Sequence, residues 1–152
     1  MSLKDLLGRT TPVGKTHGLI DYLLVQQKGL SGDMALAVSP ATLGSKASTV
    51  NAAIGSNGKF VRQVTIQLQT ATGELHDWFN GTFAVAVAKT GSGTVALAGG
   101  ITSATFVNGV ATVSLEYTGT WAAADTTTLT VTGGTKLGYT INNKTSVDTL
   151  IA

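Results

Sequence analysis

The sequence predicts an all-β protein: an Ig-like antiparallel β-sandwich of about seven strands behind an extended N-terminal arm. Three observations carry that expectation. From Phe60 onward apolar residues recur at every second position, the period of a strand with one buried face. Glycines and Asn-Gly pairs separate these runs, where reversal of the chain needs residues that tolerate positive φ. Only 12% of the 152 residues are charged while 19 are Gly, against an ordinary charged share of about 25%. Scarce Lys and Glu argue against a helical bundle, and abundant Thr suits a pleated, half-exposed surface.

Residues 1–59 form the expected arm. Three apolar stretches stand out there, Leu3 to Leu7, Leu19 to Val25 and Met34 to Val38. Dense Gly and Pro interrupt them and prevent long helices. Residues 45–54 are expected to form a short helix, with Ser48 or Thr49 able to cap it. Apolar surface on such an arm is buried against its own body, a sister subunit or a larger partner.

Residues 60–152 form the expected sandwich. In the run 60–69, Val64, Ile66 and Leu68 share the inward face and the glutamines face out. The run 82–89 turns Phe83, Val85 and Val87 inward. Val95 and Leu97 share one side of 94–98, and 101–107 is a weaker strand. The run 110–117 points Val113, Leu115 and Tyr117 inward. Leu129 and Val131 sit between outward threonines in 126–132, and Leu137, Tyr139 and Ile141 share a side. Asn108-Gly109 is the strongest two-residue hairpin signal. Some 20 inward apolar side chains, each worth roughly 1.5–3 kcal/mol when buried, suffice for one small core.

The residues exclude several chemistries. Without Cys there are no disulfides and no thiolate metal sites or nucleophiles. Two histidines, His17 and His76, do not make an imidazole-rich metal site, and no cofactor is expected. Residues 8–16 resemble a phosphate-binding loop, but five residues separate the glycines where that motif needs four, and no strand precedes it. Residues 91–96 match a loose GxGxxA, yet the segment after them is strand-like, so they read as a hairpin. His76-Asp77 reads as a polar loop rather than an acid–base pair. Trp78-Phe79 and Trp121 read as intrachain packing, with Trp121 covering one end of the sandwich.

No run of apolar residues is long enough to span a bilayer, and the N-terminus has no signal-peptide core, so neither a membrane nor a cleaved secretory route is expected. The net charge is +2, with +4 in residues 1–62 and −2 in residues 63–152. The basic residues are dispersed, which predicts no specific nucleic-acid binding.

Two runs carry a family resemblance. VTIQLQTATGELHDWFNGTFAVAVA and FVNGVATVSLEYTGTWAAADTTTLTV, with GYTINNKTSVDTL after them, resemble Ig-like modules of tailed-bacteriophage and prophage virion proteins, over about the last 90 residues. The resemblance implies a non-enzymatic structural role, foremost that of a capsid decoration (cement) protein on the outer shell. It implies assembly in the host cytoplasm, binding to the major capsid protein and a homotrimer. Under that reading Leu3, Leu6, Leu7, Leu19, Ile20, Tyr22 and Leu23 are the expected anchors of the arm. The alternatives are a head-fibre or tail accessory module that binds host-surface carbohydrate through exposed Trp78 and Trp121, and a small hydrolase.

Overall fold

The computed structural model describes residues 34–39, 45–136 and 138–152. Among them run β1 (Ala35–Ser39), α1 (Ala47–Asn57), β2 (Phe60–Gln69), β3 (Gly81–Lys89), β4 (Thr94–Leu97), β5 (Ser103–Phe106), β6 (Val110–Thr118), β7 (Thr126–Thr132), β8 (Gly134–Lys136), β9 (Tyr139–Ile141) and β10 (Lys144–Thr149). The strands form two four-stranded antiparallel sheets, ordered β1-β2-β6-β4 and β10-β7-β3-β5, with β8-β9 as a small separate ribbon. Lettered along the chain with β5 and the β8-β9 ribbon set aside, the first sheet is A-B-E-D and the second G-F-C. That is the constant-type immunoglobulin order, with β5 added as an edge strand beside β3.

The period-two faces lie where the sequence places them. Val64, Ile66, Leu68, Phe83, Val85, Val113, Leu115, Tyr117, Leu129 and Val131 are all buried. Strand register supports this: Val64 faces Val113 across β2–β6, and Val85 faces Val131 across β3–β7. One end of the core is aromatic. Phe79, Phe83 and Phe106 meet pairwise with ring centroids 5.1–5.9 Å apart, offset or edge-on geometries that add to plain area burial.

The boundary expected at residue 60 is corrected. Residues 35–39 are not part of an extended arm but pair with β2, Leu36 opposite Leu68 and Val38 opposite Ile66. Met34, Leu36 and Val38 are buried in the common core, as are Ala47 and Val50 of α1. A short apolar run between Gly and Pro carries no mark of its strand partner, because that partner lies some thirty residues downstream. The helix forms two to three residues later than expected, and neither Ser48 nor Thr49 caps it. Lys46 occupies the N-cap with no side-chain hydrogen bond, and Gly58 ends the helix at φ 75°, where a residue without Cβ fits the left-handed turn. Lys46 instead bridges to Ile151, so the N-terminus of α1 is tied to the chain's last residues.

The expected turns exist, but two of them join different sheets. Asn108 and Gly109 both have positive φ, 51° and 77°. Val107 and Val110 exchange backbone hydrogen bonds of 2.9 and 3.1 Å around them, as in a type I′ turn. The flanking strands nevertheless diverge, β5 into the second sheet and β6 into the first. Residues 91–96 do not close a hairpin either. Residues 91–93 carry the chain from β3 in the second sheet to β4 in the first, and residues 94–96 already belong to β4.

Trp121 closes that end. It is 2% exposed, lies 5.2 Å from the Tyr117 ring and donates its indole N–H to the Thr118 carbonyl at 3.1 Å. Asn51 of α1 clasps its backbone, donating to the Trp121 carbonyl at 2.7 Å and accepting from its N–H at 2.8 Å. Gly93 lies beneath the indole, where an added Cβ would overlap the ring. Gly93→Ala is therefore expected to destabilise the fold by about 3 kcal/mol through overpacking, measured as a lowered denaturant midpoint with unchanged slope.

Candidate functional site: a charge-free sheet face and a buried polar cluster

The expected arm anchors Leu3, Leu6, Leu7, Leu19, Ile20, Tyr22 and Leu23 lie outside the described residues, as do His17 and the loop at 8–16. Within the described residues the surface has one feature that strand alternation produces directly. The outward side chains of the second sheet are Thr145, Val147 and Thr149 on β10, Thr126, Thr128, Thr130 and Thr132 on β7, Thr82, Ala84, Ala86 and Ala88 on β3, and Ser103 and Thr105 on β5. None of these side chains is ionisable. Register aligns them in rows, Thr128 between Val147 and Ala88, and Thr130 between Thr145 and Ala86. Small β-branched and methyl side chains make this face shallow.

Along the outward face of the first sheet, Glu116 of β6 is the one charged side chain among these strands, and Lys59 pairs with it at 2.7 Å. Such an exposed pair contributes little stability. Among the described residues, both broad faces of the sandwich thus carry almost no net charge.

The polar interior departs from the sequence reading. Arg62 lies on the inward side of β2, in phase with Val64, and is 8% exposed. It forms an ion pair with Asp148 of β10, which is also buried. The pair joins the two sheets, since β2 belongs to the first and β10 to the second. Alternation alone marks Arg62 as inward, but the chain gives no local sign of a carboxylate 86 residues away. β10 itself lies in a polar run, KTSVDT, whose pattern lacks the apolar alternation that reveals a strand.

His76 lies in a loop between two strands, as expected, yet it is fully buried, with its ring edge-on to Trp78 at 5.4 Å. Its backbone N–H bonds to the Leu68 carbonyl at 2.9 Å, so the 70–80 connection folds inward over the end of β2. Gly109 presses on this segment: its N–H donates to the Phe79 carbonyl at 2.7 Å, and a Cβ there would strike the His76 carbonyl.

Trp78 and Phe79 pack inside the chain as expected, Phe79 in the core and Trp78 half-buried against it. A carbohydrate platform built on exposed Trp78 and Trp121 is not formed, because Trp121 is buried against Gly93 and α1. No three His, Asp or Glu side chains cluster to hold a metal ion among the described residues. No helix among them is long and apolar enough to cross a membrane.

No protein-family model matches this chain, and no curated protein matches it. Three solved structures align with most of this chain. A β-glycosidase from Bacteroides vulgatus aligns over 78% of this chain and 14% of its own, at 14% identity and a TM-score of 0.46. Domains 4 and 5 of the S-layer protein SbsC align over 77% of this chain and 44% of theirs, at 16% identity and a TM-score of 0.37. A conjugative transposon lipoprotein from Bacteroides eggerthii DSM 20697 aligns over 76% of this chain and 95% of its own, at 12% identity and a TM-score of 0.36. The chain spans less than half the length of the first two, and at these scores none of the three bears on what it does.

Proposed function

We propose that this chain is a non-enzymatic structural protein of a tailed-phage particle, a capsid decoration protein that braces the outer shell. The observation that carries the reading is the charge-free outer face of the second sheet. Charged side chains are depleted at the centres of protein interfaces because burying them costs solvation that only a well-matched partner restores. A face of Thr, Ala, Ser and Val is desolvated cheaply by a broad, flat neighbour. The strand pattern that resembles Ig-like virion modules supports the same reading, as does the excess of basic charge in residues 1–62. In this assignment the leading segment, with Leu3, Leu6, Leu7, Leu19, Ile20, Tyr22 and Leu23, grips the major capsid protein, and the neutral face meets sister copies in a homotrimer.

The test uses DNA-filled shells of the phage or prophage that encodes the chain, stripped of this protein. The full chain is expected to saturate them in co-sedimentation and to appear as discrete protrusions by electron cryomicroscopy. A variant lacking residues 1–28, checked for an unchanged melting midpoint, is expected to bind at least tenfold more weakly. Thr130→Lys is expected to shift the free protein from trimer to monomer in sedimentation velocity. Failure of the full chain to bind such shells sinks the decoration role. Equal binding by the shortened chain removes the anchor from its first 28 residues.

A further inference from the structure

The space between the sheets contains a polar pocket that the proposed role does not use. Arg62 of β2, Tyr117 of β6, Thr127 of β7, and Ser146 and Asp148 of β10 line it, and three apolar side chains complete the wall. Three of its polar atoms are buried and have no hydrogen-bond partner in the protein: Arg62 Nε, Tyr117 Oη and Thr127 Oγ1. The residues that carry them are 8%, 1% and 2% exposed. Native interiors leave few such groups unsatisfied, and three around the same space call for a partner.

The chemistry of the three atoms selects the occupant. Arg62 Nε–H donates only, so the occupant must accept a hydrogen bond. The two hydroxyls donate and accept, so the occupant gains most if it can also donate. A cation is opposed by the guanidinium, and an anion by the Asp148 carboxylate already paired with it. The cavity volume is about 10 Å³, which is room for the centre of about one water molecule. That excludes phosphate, a sugar or any organic ligand.

We propose that a single structural water occupies this pocket and bridges Arg62 Nε to the hydroxyls of Tyr117 and Thr127. It ties β2 and β6 of one sheet to β7 of the other, beside the ion pair that ties β2 to β10. The water then completes a polar cross-link between the two sheets.

Thr127→Val and Tyr117→Phe test this with little change of shape. If the hydroxyls bridge to water, each variant strands part of the network, and each melting midpoint falls by about 2–4 °C. The double variant then falls by less than the sum, since both changes break one network. If the pocket is dry, each variant removes an unsatisfied buried hydroxyl, and the midpoints rise additively. A crystal structure of the unmodified protein is the second arm. Ordered water within hydrogen-bond distance of Arg62 Nε supports the proposal, and a well-defined pocket without it overturns the proposal.

Discussion

A chain beginning at Phe60 is expected not to fold. Although residues 60–152 carry nearly all of the strand periodicity, they lack Met34, Leu36, Val38, Ala47 and Val50, all buried in the shared core. At roughly 1.5–3 kcal/mol for each buried side chain, the loss is about 7–15 kcal/mol, as large as the whole stability of an ordinary domain, about 5–15 kcal/mol. Removing β1 would also expose the free edge of β2 with Ile66 and Leu68 beside it, an invitation to strand-to-strand aggregation. Circular dichroism and a urea titration of the 60–152 fragment check this. A cooperative transition like that of the full chain would show that β1 and α1 are accessories.

The second large effect concerns the ion pair between the sheets. Arg62→Met alone leaves the Asp148 carboxylate buried, and Asp148→Leu alone leaves the guanidinium buried. Each single change is expected to cost about 3–5 kcal/mol, because a buried charge loses its ion-pair partner in a low-dielectric interior. Changing both together removes both charges, and most of the loss should return. The cost belongs to the buried charge left behind more than to the pair itself, which offsets its own desolvation only in part. Chemical denaturation of the two single variants and the double variant reads the cycle. Single variants within about 1 kcal/mol of the parent would mean that water reaches the remaining charge.

The legible parts of the fold were those written in short-range pattern. β2, β3, β6 and β7 each show apolar residues at alternate positions, and their inward sets are the buried ones. Asn108-Gly109 announces a tight turn because both positions adopt positive φ. The strands that escaped detection lack that pattern for different reasons. β1 is short, β8 is three residues long, and β10 reads Lys-Thr-Ser-Val-Asp-Thr. β8 and β10 are held by the ladder that a neighbour offers rather than by their own hydrophobic alternation, whereas β1 alternates Leu36 and Val38 over too few residues to stand out. The charge-free sheet face was half legible. The outward threonines of β7 follow from alternation, but their rows with Ala84, Ala86 and Ala88 depend on which strands are neighbours.

Composition and period two were enough to establish an all-β sandwich with its main strands and most of its core, because one buried face per strand is a local property of the chain. Sheet order, the true start of the body and the Arg62–Asp148 link are not local. They join residues separated by tens of positions, and only packing the two sheets together decides which charges become buried and which faces stay bare.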